Sequence, residues 1–292
     1  MKTLIIAILV LLGCHAANSQ DSLKIKKGSY LFYGQPNIED NSMYIEEAFN
    51  QERAIIQHIS NLIVDKDGLQ YIFTQEIPMP NEKNQLSIGI VYNALKTKPM
   101  GSQSHGGFGD LYINYRPMLM NKTDWVLVIP RFTVIAPTGN AKYGFGSGGW
   151  GAQFNLAVTK RLNSKITTHW NAGSTRIFKE HYYAADTNGE LQLARQKSHT
   201  SYNVGASAIY LVSDSFNFML EYIAGFNQGF GELGQTQRVS EMVINPGFRF
   251  AINAGITQIV PGLGIPLNIV DGKHVSTGAF VYLSIEPNYL AK

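Results

Sequence analysis

The chain has 292 residues, with 24 Lys and Arg against 21 Asp and Glu, and charged residues make up only 15% of it. A formal charge of +3 marks neither a nucleic-acid surface nor an acidic partner. Its single cysteine, Cys14, leaves no disulfide framework or Cys-ligated metal, and past Leu12 no apolar run approaches the ~20 residues of a membrane helix.

The N-terminus has the layout of a secretory signal peptide over 1–19. Lys2 supplies the positive start, Leu4 to Leu12 the apolar stretch, and Ala17-Asn18-Ser19 the small residues of a cleavage site. An alternative places Cys14 in a lipobox, Leu11-Leu12-Gly13-Cys14, and acylates it; the bulky Leu12 weighs against this. Segment 20–50 differs in kind from the rest. "DNSMYIEEAFNQE" offers an N-cap at Asn41 or Ser42 followed by Glu46 and Glu47, which predicts a short helix in a periplasmic lead-in. A plug or lid inside a barrel is the competing reading of this segment.

From 51 to 292 the pattern is β. Alternation predicts twelve strands at about 53–64, 68–78, 85–95, 108–120, 124–136, 149–161, 165–178, 198–212, 215–227, 239–252, 256–267 and 276–287. Connections after even-numbered strands are short, as at Leu162 to Ser164 and Ser213 to Asp214. Those after strands three, five, seven and nine are longer, the longest running from Lys179 to Lys197. This alternation of turn lengths, which the connections after strands one and eleven fit only loosely, predicts an all-β, transmembrane, antiparallel up-and-down barrel with short periplasmic turns and longer extracellular loops.

Charge placement separates lipid from water. In 149–178 the charged residues are Lys160, Arg161, Lys165 and Arg176, all near strand ends, while Trp150, Phe154, Leu156, Val158 and Trp170 share one parity. Phe216 and Phe226 are separated by ~33 Å of strand, which at a ~40° tilt spans roughly the 25 Å apolar band of an outer-membrane barrel. The 124–136 stretch is apolar on both parities, and strand one cannot be phased.

Three stretches resemble an outer-membrane barrel family named for the meta-pathway of phenol degradation, related to the long-chain fatty-acid transporter barrels. They are Gly107-Phe108-Gly109-Asp110-Leu111 with Tyr115-Arg116, then "VIAPTGN" (Val134 to Asn140), then "NPGFRF" (Asn245 to Phe250). "SMYIEEAFNQE" is similar to N-terminal segments of Bacteroidetes-type members. The resemblance implies a monomeric twelve-stranded barrel of a Gram-negative outer membrane that passes small hydrophobic or aromatic compounds, with no catalytic residues. One departure is the C-terminus, where Tyr289 or Tyr282 stands in for the terminal aromatic residue that barrel insertion reads.

Because charges facing lipid cost ~2–4 kcal/mol at the midplane, the polar residues within strands are expected to line the lumen. These are Asp110, Asn114, Arg116, Arg131, Asn155, His169, Asn171, Glu221 and Arg249. They form either a structural network filling a narrow barrel or a polar ladder along a substrate path. Gly144-x-Gly146-x-x-Gly149 matches a dinucleotide fingerprint only formally, since a strand follows it. Histidines lack metal spacing, so neither metal nor cofactor is expected. The expected partners are outer-membrane lipid and lipopolysaccharide, with a small hydrophobic ligand and no nucleic acid. The alternatives to a conduit are a lipid-modifying enzyme, using His169 with Ser174 or Ser207, and a structural or adhesion barrel with a plugged lumen.

Overall fold

A computed structural model describes residues 38, 42–99, 105–119 and 126–288. The predicted signal peptide, Cys14, the turn at 121–123 and Tyr289 lie outside the described residues. Among those residues twelve strands close a barrel. They are β1 (Gln57–Val64), β2 (Gly68–Pro78), β3 (Asn84–Leu95), β4 (Gly106–Pro117), β5 (Leu127–Ala136) and β6 (Gly151–Arg161). β7 (Ile166–Ala185), β8 (Leu191–Ser213) and β9 (Phe216–Phe230) follow. β10 is Thr236–Phe250 prolonged by Ile252–Ala254, β11 is Thr257–Gly264 with Leu267–Val270, and β12 is Lys273–Thr277 with Ala279–Pro287. The break in β11 falls at Pro266, which has no N–H to give to a ladder.

Each strand pairs antiparallel with the next, and β12 returns to β1 with His58 opposite Ile285. Closure leaves no strand edge, the condition for crossing a hydrocarbon layer with sheet. One end of the barrel carries the tight turns and the starts and ends of the chain's strand series; by the rule of outer-membrane barrels this turn end faces the periplasm.

The alternation sorts side chains as expected. Trp150, Phe154, Trp170, Tyr202, Phe218, Leu220 and Phe226 are exposed on the outer wall, whereas Asn155, His169, Asn217 and Glu221 are buried within. The doubly apolar β5 resolves the same way: Phe132 and Val134 face outward, and Leu127 and Ile129 face inward against Ala48 and Phe49. β1 can now be phased too, with Gln57 and Ile59 buried inside and Val64 exposed.

Three expectations are corrected. The predicted 179–197 loop is a hairpin, because β7 and β8 run for 20 and 23 residues and close only at a turn through Asp186. Alternation continues there in polar residues, which raises no hydrophobic signal. At its tip Asp186 accepts the amides of Glu190 and Asn188, which hold its carboxyl below the usual range. Tyr282 is 2% exposed and points inward over Arg249, so it cannot serve as a wall-facing insertion signal.

The third concerns 20–50. Residues 42–50 contain bends and no helix, and they lie inside the barrel rather than leading into it. A helix satisfies its own amides; here the wall does so. Glu221 takes the N–H groups of Met43, Tyr44 and Ile45, Asn171 that of Glu46, and Thr159 that of Ala48. The inserted stretch also passes the expected boundary at 51, reaching β1 only at Gln57.

Leu220→Arg places a charge on the lipid face near mid-strand and is expected to cost ~2–4 kcal/mol of barrel stability. Denaturant titration in lipid, followed by the shift between folded and unfolded bands on a gel, measures it.

Candidate functional site in the barrel lumen

The inserted segment has its apex at Met43 to Glu46. Its partners Asn155, Asn171 and Glu221 sit five or six residues in from Arg161, Ile166 and Phe216, the turn-end termini of their strands, or roughly 17–20 Å along the wall. Both Ile38 and Gln51 lie back toward the turn end. Asn217 Nδ2 and Arg249 Nη2 donate to the Ile38 carbonyl, and Gln85 Oε1 accepts the Gln51 amide at 2.8 Å.

Two apolar patches seat this plug. Met43 and Ile38 pack with Ile59, Ile209, Met219, Val260, Phe280 and Tyr282, while Ala48 packs with Leu127, Ile129 and Ala157. Glycines on the wall make the room. A side chain at Gly205 would come within 2.4 Å of the Ile45 Cδ1, and one at Gly264 within 2.8 Å of the Met43 sulfur.

The polar contacts are charge-assisted. Glu221 accepts three consecutive plug amides at 2.8–3.0 Å and is held from behind by Asn245 at 2.7 Å. On the other side of the lumen Arg116 donates from Nη1 to Glu47 Oε1 at 3.1 Å and from Nη2 to the carbonyls of Glu47 and Phe49, with its Nε 3.2 Å from Glu46 Oε1. Glu46 also meets Arg131 at 3.3 Å and accepts from Asn155 at 2.8 Å. A buried charge keeps its ionised form only when so paired.

Of the nine residues singled out in the sequence, seven therefore act on the plug: Arg116, Arg131, Asn155, Asn171, Glu221 and Arg249 directly, and His169 through the Thr159 hydroxyl at 2.7 Å. Asn114 instead joins Ser87 and Thr133 in a wall network. Asp110 holds the loop between β5 and β6, accepting from Gly139 N at 3.0 Å, Ser147 N at 2.8 Å and Ser147 Oγ at 2.6 Å. That loop contains the dinucleotide-like glycines. Gly144 and Gly148 adopt φ of 77° and 70°, and a Cβ at Gly146 would fall 2.6 Å from Asp110 Oδ1. Of the fingerprint glycines, Gly146 serves a fold-back onto a carboxylate and Gly149 a close approach to the β7 backbone, rather than a phosphate cradle.

Sequence reading missed Thr159, Asn217 and Asn245, which share the inward parity of already flagged residues and could have been found by it. It also missed the plug's own Glu46 and Glu47, which carried a helix signal instead. Register sets His169 opposite Ser207 and Ser207 opposite Glu221. Each is engaged elsewhere: His169 Nδ1 with Thr159, Ser207 Oγ with Ser42 Oγ at 2.7 Å, and Glu221 with plug amides. Ser174 lies on the outward parity, opposite Phe154 and Tyr202. Among the described residues no group of three His, Cys, Asp or Glu is placed to hold a metal ion.

Beyond the apex, toward the loop end, lies a cavity of about 660 Å³. Asn114 and Arg131 contribute to its floor beside Glu46, and Gln70, Asn93, Glu180 and the folded-back 144–147 loop to its rim.

A family model described as "Putative MetA-pathway of phenol degradation" matches residues 50–255. The chain belongs to that family. Its fold is similar to that of an outer membrane channel from Pseudomonas putida F1, at 14% identity and a TM-score of 0.59, covering 85% of this chain and 98% of that one. The NanC porin (8% identity, TM-score 0.45, 80% and 98% covered) and the transport unit of the autotransporter AIDA-I from Escherichia coli (10%, 0.45, 85% and 95%) are more distant. No curated protein matches the sequence. This member of the phenol-degradation family is a bacterial outer-membrane β-barrel.

The three stretches that resemble the family each hold something inside the wall. Asp110 of the first meets Gly139 of the second. In the third, Asn245 steadies Glu221, Gly247 lies beside Met43, and Arg249 grips the Ile38 carbonyl.

Glu221→Ala removes the acceptor of three buried amides and is expected to loosen the plug by ~2–3 kcal/mol or more. Hydrogen exchange at residues 43–45 should rise by about tenfold or more while exchange in the strand ladders stays slow.

Proposed function

We propose that this protein is a passive outer-membrane conduit for small hydrophobic or aromatic compounds, held closed by residues 42–52. The observation that carries the reading is the mode of attachment. The plug is fastened to the lumen by side chains and by packing, and no plug residue from 42 to 52 joins a strand ladder. Withdrawing it toward the turn end would leave every wall-to-wall backbone hydrogen bond in place. A plug built into the ladder could not move without opening the barrel.

The loop-end cavity supports the same reading. Its volume suits a small organic molecule. Ile72, Val91, Tyr112, Ile135, Phe145 and Ile177 give it apolar surface among a larger number of polar side chains, Gln70, Asn93, Asn114 and Gln153 among them. Between cavity and turn end the described plug closes the lumen where Glu46 meets Arg131 and Arg116 and where the apolar patches grip Met43 and Ala48.

A second reading is a structural barrel whose plug never leaves. The number of buried contacts favours it: removing Arg116 alone would take from Glu47 the cation it pairs with and leave Glu46 to Arg131 and Asn155, a change worth ~3–5 kcal/mol. Planar-bilayer conductance separates the two. In a conduit, the full chain should open rarely, and deletion of 20–52 should give a steady conductance several-fold higher. Uptake of 4-nitrophenyl glucoside, an aromatic solute slow to cross lipid, should rise in parallel. Arg116→Gln should raise the opening frequency of the full-length protein. Full-length protein that never opens, with or without Arg116→Gln, while the folded deletion protein conducts, would establish the permanent plug. A deletion protein that folds, by its heat-dependent gel shift, yet conducts no more than lipid alone would overturn the conduit reading.

A further inference from the structure

Among the described residues Arg131 is the only Lys or Arg lining the loop-end cavity. Its side chain is 25% exposed, on the floor where that cavity meets the plug. Nη2 donates to Gln153 Oε1 at 2.8 Å and Nη1 lies 3.3 Å from Glu46 Oε2, but the buried Nε has no hydrogen-bond partner among the described residues. A guanidinium presents paired donors that match a carboxylate in two bonds. Here one of those donors is spare, and the 3.3 Å Glu46 contact is longer than the plug's ion pairs with Arg116, at 3.1 and 3.2 Å.

The cavity's two acids do not compete for this cation. Asp110 is saturated by Gly139 and Ser147, and Glu180 Oε2 is 2.5 Å from His199 Nδ1. Glu46 has reserves as well, since Arg116 and Asn155 would still hold it if Arg131 turned away. Exchanging one carboxylate for another at Arg131 therefore leaves no buried charge unpaired, which is the costly step in breaking an ion pair inside a protein.

We propose that the loop-end cavity binds small organic carboxylates, aromatic ones included, with the carboxylate taking the place of Glu46 on Arg131. The ring or chain lies against Ile72, Val91, Ile135 and Phe145. Loss of the Arg131 contact weakens the hold on the apex, so a bound carboxylate loosens the plug that blocks its own path. This extends the conduit reading by naming the solute and what unlatches it.

The test uses the full-length barrel in detergent micelles, titrated calorimetrically with benzoate and with benzyl alcohol, a neutral compound of similar size. Benzoate should bind about tenfold tighter or more, and Arg131→Gln should abolish that preference. Glu46→Gln removes the internal competitor and should tighten benzoate binding several-fold, and Arg131→Lys should retain part of the preference. Saturating benzoate should speed hydrogen exchange at residues 43–46 in the wild-type protein, and benzyl alcohol should not. Equal binding of the two compounds to the wild-type protein overturns the proposal, as does benzoate binding unchanged in Arg131→Gln or Arg131→Lys. The wild-type comparison decides the matter even if a variant fails to fold. Binding in micelles requires no conduction, and conductance after deletion of 20–52 requires no carboxylate. A failure here is therefore distinct from a failure of the conduit reading.

Discussion

Inside a hydrocarbon layer every backbone N–H and C=O must find a partner within the protein, and both parts of this molecule answer to that constraint. The wall meets it by closure: β1 pairs with β12, so the sheet has no edge. The plug meets it differently. Residues 42–52 join no ladder, and their amides are taken by Glu221, Asn171, Thr159 and Gln85. The polar inward face exists largely to satisfy the backbone of an inserted guest.

Attachment of this kind is both strong and separable. Charge-assisted bonds from Arg116 and Glu221 each contribute ~1.5–3 kcal/mol, and apolar patches on opposite walls add burial of Met43, Ala48 and Ile38. None of these contacts is shared with the strand ladder. The wall's backbone ladder thus does not depend on the plug, which is the physical requirement for a barrel that can open without unfolding. The small wall residues Gly205, Gly247 and Gly264 belong to the same design, because a side chain at any of them would fill the seat.

Most of the wall was legible in the sequence because its signals are local. A strand with one face in lipid and one in a polar lumen alternates at period two, and charges stay off the middle of its lipid face. The inward residues follow from that parity, so Asp110, Arg116, Arg131, Glu221 and Arg249 could be placed inside before any contact was known. What misled was also local. "SMYIEEAFNQE" carries a helix signature because acids near a possible cap usually favour a helix N-terminus. In this setting Glu46 and Glu47 answer to Arg116 and Arg131 across the lumen. The polar strands of the β7–β8 hairpin were read as a loop for a related reason: above the membrane band, alternation no longer separates apolar from polar.

The sequence by itself determined that the chain is a transmembrane barrel, how its strands alternate, and which polar residues face inward, since all three depend on spacing along one strand. Only the tertiary structure decided what those residues meet. Glu221 lies 178 positions from Met43, and Arg116 lies 69 from Glu47. Curling twelve strands into a ring brings these residues to one point in the lumen, and no local pattern in the chain encodes which of them faces the plug, which the loop and which the open cavity.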